Sequence, residues 1–206
     1  MEKLKITNRL CRIALSVTFI LLPFAPGCKR STPGGGTDIF STDETTEAGG
    51  VVAAANEDLK KIKVLYDQNI GKREDLKKAL EDNDAEKVKK ISDDIVYLIN
   101  DGTENGKNAL DKLQKAQEMQ INSDYGDYLR LKEESIKKEL EAFDNLREAA
   151  RSLRDNYDPK NTTLRDKVKE EFKKRNDKYQ EIMESARVDS AKANELAKEA
   201  QKKQAN

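Results

Sequence analysis

The recurrence of apolar residues at helical spacing is the feature that most constrains the fold of this chain. Beyond residue 51, apolar side chains return every three or four positions, and charged residues fill most positions between them. Charged residues make up 38% of the chain, both signs are interleaved, and Trp is absent, which is typical of long solvated helices. We predict an all-α fold, with helices at about 52–81, 84–121, 124–157 and 163–203.

Capping residues support these boundaries and short connections limit the topology. Asp84 is placed to cap the second helix, and Asp158 followed by Pro159 ends the third. Short connections between long helices favour antiparallel neighbours. The predicted architecture is therefore either a four-helix up-down bundle or a set of coiled-coil-like hairpins.

Two glycines interrupt the second predicted helix. Gly102 and Gly106 each cost about 1 kcal/mol relative to alanine in a helix interior. The helix either breaks here, or the glycines permit a close approach of another helix. Because the apolar stripe keeps its phase across this interval, we predict a continuous or kinked helix.

The first 28 residues have a different pattern from the rest of the chain. A basic head precedes an apolar run over 13–24, and Ala25-Pro26-Gly27-Cys28 follows it. This order resembles a bacterial lipoprotein signal peptide that ends in a lipobox. The apolar run of roughly a dozen residues is shorter than the about 20 that a transmembrane helix needs. The alternative is an ordinary secretory signal with an incidental cysteine.

The lipoprotein resemblance implies a processing site and a location. Cleavage would fall between Gly27 and Cys28, and Cys28 would carry a diacylglyceryl group on its sulfur, with a further acyl chain such as palmitate on the new amino terminus. Two or more acyl chains give a stable membrane anchor, whereas one gives only marginal binding. Lys29 follows the cysteine, which by the same resemblance favours the outer membrane of the cell envelope, at its periplasmic face or at the surface.

The chain therefore divides into three parts. Residues 1–27 form the predicted signal peptide, residues 28–50 a Gly/Thr/Pro-rich flexible tether, and residues 51–206 the helical domain.

Residue types exclude several kinds of chemistry. The chain has no histidine, which removes the usual nucleophile systems and the histidine ligands of zinc and haem. No carboxylate falls on a predicted apolar stripe, where desolvation would adapt it to acid-base work. The acidic turn over 82–86 lacks the glycine and the distal glutamate of an EF-hand loop. We predict no catalytic residues, no metal site and no cofactor.

Charge argues against nucleic acid as a partner. The 39 basic and 39 acidic residues balance, and no long block of one sign supplies the electrostatic attraction that phosphate backbones require. The predicted partners are the membrane, through the anchor at Cys28, and a protein or other component of the envelope. The pattern does not specify an oligomeric state.

A cluster of apolar residues near position 125 is the candidate binding surface for such a partner. Tyr125, Tyr128 and Leu131 lie at the turn into the third helix, with apolar side chains on more than one of its faces. One interpretation is an exposed tip that binds a partner; the other is that these side chains close the end of the bundle. Arg147, Arg151 and Arg154 form a basic face, either an anion-binding surface or an ordinary solvated one.

These observations predict a lipid-anchored protein of the cell envelope that acts as a non-catalytic interaction or spacer module. The alternative is a periplasmic chaperone or assembly factor whose helical hairpin arms clamp a client.

Overall fold

The computed structural model describes residues 44–205, apart from the side chains of residues 200, 201 and 203–205. It consists of four long helices in the described part of the chain. They are α1 (Thr45–Glu81), α2 (Ala85–Gln117), α3 (Ser123–Asn156) and α4 (Thr162–Ala205). At 1.5 Å per residue, the helices are about 50 to 66 Å long. The predicted all-α fold is confirmed.

Successive helices run antiparallel, and each packs on the next one in the chain. In the α1–α2 pair, Lys72 of the carboxyl-terminal half of α1 meets Asp94 near the start of α2, with Nζ and Oδ2 2.5 Å apart. In the α3–α4 pair, Ser152 near the end of α3 hydrogen-bonds to Glu171 near the start of α4. The buried apolar side chains of all four helices form one core.

The helical domain begins earlier than the sequence pattern indicates. We assigned residues 28–50 to a flexible tether, but α1 starts at Thr45 and runs through Gly49 and Gly50. Ala48 is fully buried and Val52 is nearly so, because the apolar stripe of α1 continues toward its amino terminus. Packing of this stripe outweighs the low helix propensity of the two glycines.

Side-chain caps fix the start of α2 and the start of α3. Asp84 Oδ1 accepts a hydrogen bond from the Lys87 amide at 3.0 Å, as predicted for this residue. Asn122 Oδ1 accepts from the Tyr125 amide at 2.9 Å. Helix α2 ends at Gln117, four residues before the predicted boundary, because residues 118–121 make the turn that leads to the Asn122 cap.

Helix α2 is continuous through its two glycines, and both face α3. A methyl group added at Gly106 would lie 2.7 Å from Leu140 Cδ2, closer than van der Waals contact allows. One added at Gly102 would lie 3.2 Å from Phe143 Cε2. The missing side chains therefore leave room for Phe143 and Leu140 of α3 to pack against the backbone of α2, so the helix does not break at its glycines.

The seam between α1 and α4 is of another kind. Their backbones stay further apart than those of helices adjacent in the chain, and long polar side chains cross the space between them. Arg73 Nη2 donates to Asn176 Oδ1 at 2.8 Å, and its guanidinium lies 5.1 Å from the centre of the Tyr179 ring. Lys169 Nζ donates to the Leu80 carbonyl at 2.8 Å.

A pair of leucine substitutions tests the packing of α3 side chains on the glycines of α2. Gly106→Leu should lower the free energy of unfolding by about 1–3 kcal/mol, because the new side chain overlaps Leu140 and neighbouring core atoms. Gly71→Leu is the matched control: Gly71 lies in α1 with open space around it, so leucine should stabilise the helix by about 0.5–1 kcal/mol. Urea unfolding followed by circular dichroism measures both changes, and equal effects of the two variants would contradict this packing.

Candidate functional site

The predicted tip around Tyr125 is not an exposed surface. Tyr125 and Tyr128 are 2% and 0% exposed, and their rings stack with centroids 5.8 Å apart and an interplanar angle of 10°. Burial raises the pKa of Tyr125 to about 12 and that of Tyr128 further. Leu131 is half-buried against the same core. Because α3 begins at Ser123, both tyrosines lie within its packed first turns and cannot present their rings to a partner.

The start of α1 is tied to the turn between α2 and α3. The Glu44 amide donates to the Gln120 carbonyl at 2.9 Å, and the Gln120 amide donates to Glu44 Oε2 at 2.8 Å. The Asn122 amide also donates to Thr45 Oγ1 at 3.3 Å. The chain therefore enters the domain beside this turn. The predicted lipidation residue Cys28 and the cleavage position Gly27 lie outside the described residues.

A buried lysine lies in the interface between α3 and α4. Lys132 is fully buried, and its Nζ donates to Ser190 Oγ at 2.9 Å and to Asn194 Oδ1 at 2.8 Å. The ammonium also lies 5.7 Å from the centre of the Tyr128 ring. Removal from water lowers the pKa of Lys132 to about 8, and the nearby Glu139 carboxylate opposes that change.

Glu139 is buried two turns further along α3. It is 5% exposed, and burial raises the pKa of its carboxyl to about 8, against the opposing effect of Lys132. Burial therefore favours the protonated form of this carboxyl. We predicted that no carboxylate lies on an apolar stripe, and this prediction was wrong for Glu139. Glu139 follows the buried Ile136 by three positions and therefore lies on the same face of α3.

Further hydrogen bonds link α3 to α4 along the same interface. Ser135 Oγ donates to the Ala186 carbonyl at 2.8 Å, and Lys138 Nζ lies 2.5 Å from Asp189 Oδ2. Each of these contacts requires one particular register of the two helices. The polar seam of Lys132, Ser135, Lys138, Asp189, Ser190 and Asn194 can therefore fix the alignment of α4 on α3. Sequence reasoning missed it because the lysine and serines look like ordinary surface residues in the pattern.

The predicted basic face on α3 is neutralised by acidic neighbours. Arg151 Nη1 lies 3.1 Å from Glu148 Oε1, and Arg147 pairs with Asp144. Arg154 lies 3.1 Å from Asp93 of α2 and 2.7 Å from Asp155, and these carboxylates raise its pKa above the usual range. An anionic ligand would have to displace these carboxylates to bind here.

Two shallow grooves flank Tyr97 on the outer side of α2. One lies between α2 and α3 and the other between α1 and α2. Each is open to solvent and has a volume of about 460 Å³. Tyr97 lines both grooves and is 66% exposed. Neither groove is lined by Lys132 or Glu139, so the buried titratable groups open onto neither of them.

Within residues 44–205, no three side chains of His, Cys, Asp or Glu converge on a position that would hold a metal ion. None of the helices in this range contains an apolar stretch that could span a bilayer.

Comparison of this chain with protein-family models, with curated proteins and with solved structures gave no match.

The buried Glu139 predicts a specific pH dependence of stability. Because its pKa is about 8 in the folded protein and near 4.5 when unfolded, the folded state binds the proton more tightly. The contribution of this proton binding to the free energy of unfolding is complete below about pH 4.5 and is lost as the pH rises to about 8. The free energy of unfolding should change by the order of a few kcal/mol over this range. Glu139→Gln should remove this decline in denaturant unfolding measured across the range.

Glu134→Gln, an exposed substitution on the same helix, is the control and should leave the wild-type pH profile unchanged. A Glu139→Gln profile that parallels the wild type would show that Glu139 is not the buried group responsible.

Proposed function

We propose that this protein is anchored to the cell envelope by a lipid at Cys28 and acts there as a non-catalytic interaction or spacer module. The observation that carries the proposal is the amino-terminal sequence, in which a basic head, a short apolar run and Ala25-Pro26-Gly27-Cys28 follow one another. The outer membrane is the favoured location, since lysine rather than aspartate follows the cysteine.

The entry point of the chain into the domain supports an anchored arrangement. Glu44 and Thr45 are hydrogen-bonded to the α2–α3 turn, so a tether from Cys28 would join the domain at that end. The chain between Cys28 and Glu44 can reach at most about 55 Å, even fully extended. The helices would then carry the opposite end, with the α1–α2 and α3–α4 turns, about 50 Å further from the tether.

The chemistry of the buried polar groups supports a non-catalytic role. Lys132 is engaged by Ser190 and Asn194 in helix packing, and Glu139 is enclosed beside the same interface. A general acid or base must reach its substrate within hydrogen-bonding distance. The hydrogen bonds of Lys132 to Ser190 and Asn194 suit this lysine to holding α3 and α4 in register.

The alternative role as a chaperone receives less support. Hairpin arms that clamp unfolded clients need a contiguous apolar surface. The larger exposed apolar side chains in the described range are spread over three helices: Val64 and Ile70 of α1, Tyr97 of α2 and Val188 of α4. The two turns at the tips are polar, with Asn83 and Asp84 in one and Asp158 and Asn161 in the other.

The lipid anchor can be tested by comparing the chain's two cysteines. Bacteria that express the wild type or Cys28→Ser are labelled with radioactive palmitate and separated into membrane and soluble fractions. We expect label and membrane association in the wild type, no label in Cys28→Ser, and a mature wild-type chain that begins at Cys28. Cys11→Ser is the matched control and should behave as the wild type, because Cys11 lies in the segment that is removed.

Equal labelling of Cys28→Ser and the wild type, or absence of label from both, would contradict the anchor. If the wild type is labelled as expected, external protease added to intact cells distinguishes a surface location from a periplasmic one.

A further inference from the structure

Tyr97 differs from the other tyrosines in its surroundings. The chain has 6 tyrosines, all at described positions, and Tyr97 is the one whose ring projects largely into solvent, at 66% exposure. A single exposed apolar side chain is unremarkable on a protein surface. Tyr97 is distinguished because two grooves of about 460 Å³ meet at its ring, one on each side of α2.

The groove between α2 and α3 is lined mainly by planar polar side chains. Asp93 and Asn100 of α2 face Arg151 and Arg154 of α3 across it. Carboxylate, amide and guanidinium groups offer paired hydrogen-bond acceptors and donors in fixed planes. A ligand with hydroxyl groups on neighbouring carbons can bind such groups in a bidentate manner.

The groove between α1 and α2 has similar polar groups and an open floor. Gln68 and Lys72 of α1 and Asp94 of α2 line it, together with Gly71. Apart from the nearby backbone of α1 and the two adjacent residues, no atom lies within 4 Å of the position where a side chain of Gly71 would begin, so the groove is open at this point.

The charges that line the two grooves balance, and each of the three basic side chains is paired with a carboxylate. Lys72 Nζ lies 2.5 Å from Asp94 Oδ2, and Arg154 Nη1 lies 3.1 Å from Asp93 Oδ1. Arg151 pairs with Glu148, and Asp75 completes an equal number of acidic and basic lining residues. A phosphate-rich ligand would find no uncompensated positive charge here. A protein helix would lack a contiguous apolar patch to bury.

An uncharged carbohydrate matches this combination of groups. The carbon-hydrogen face of a sugar ring is flat and apolar enough to pack on an exposed aromatic ring, and its hydroxyl groups require many donors and acceptors. We propose that Tyr97 and its two flanking grooves form a binding site for a neutral oligosaccharide chain, with one sugar stacked on Tyr97 and the adjoining sugars in the grooves. The inference rests on the proposed role as an interaction module, and it names the chemistry of the partner.

The experiment uses the full chain purified in detergent and three uncharged probes: maltohexaose, cellohexaose and chitohexaose. We expect at least one of them to bind in isothermal titration calorimetry, and Tyr97→Ala to weaken that binding by about tenfold or more. Tyr97→Phe keeps the stacking ring and should retain binding within about threefold of the wild type. Asn100→Ala, in the α2–α3 groove, should also weaken binding, because it removes a hydrogen-bonding group.

Val188→Ala is the control for loss of an exposed apolar side chain elsewhere, and it should bind as the wild type does. Melting temperatures of all four variants should match the wild type, since each substituted side chain is exposed. Absence of binding to all three probes would overturn the proposal. So would equal binding by the wild type and Tyr97→Ala. Heparin and phosphatidylglycerol vesicles are titrated in the same way as anionic probes, and binding of these without any of the three sugars would also overturn the proposal.

The same titration with Cys28→Ser separates this proposal from the lipid anchor. Carbohydrate binding by the unlipidated variant supports the site whatever the labelling experiment gives. Absence of label from the wild type, with carbohydrate binding retained, would refute the anchor alone. Label on the wild type without binding of any of the three probes would refute the site alone.

Discussion

The packing of α3 side chains on the two glycines of α2 joins the two halves of this molecule. Helices α1 and α2 form one hairpin and α3 and α4 another, and the α2–α3 interface is the main packing between them. It depends on Gly102 and Gly106, since a methyl group at either position would meet Phe143 or Leu140 at short range. The low helix propensity of glycine is thus offset by packing that a larger residue would prevent.

The α3–α4 and α1–α4 interfaces are held together by different kinds of contact. Buried polar groups cross the α3–α4 interface, where Lys132 requires both Ser190 and Asn194 at fixed positions. Such groups contribute little net stability, but they penalise a shifted register, because a buried ammonium without partners is costly. The α1–α4 seam is closed by long side chains such as Arg73, so its packing is looser than that of the other interfaces.

Periodicity predicted the four helices and the continuous α2, because an unbroken apolar stripe is a local signal in the sequence. The early start of α1 was not predicted, because Gly49 and Gly50 are poor helix formers and indicated a tether. The burial of Ala48 depends on tertiary packing, which the local sequence does not show. For the candidate site, the sequence singled out Tyr125 and Tyr128, which are buried, and passed over Tyr97, which is exposed. Buried and exposed aromatic residues show the same spacing in the sequence. Only the placement of neighbouring helices decides which ring reaches solvent. Lys132 and Glu139 were missed for the same reason.

The two hairpins are expected to unfold as one cooperative unit because the α2–α3 interface joins them. Native-state hydrogen exchange of the full chain, followed residue by residue at increasing denaturant, tests this cooperativity most directly. We expect amides of α2 and α3 around Gly102, Gly106, Leu140 and Phe143 to exchange only with global unfolding, at a single free energy shared by both hairpins. Exchange of one hairpin at a distinctly lower free energy, while the other stays protected, would contradict it.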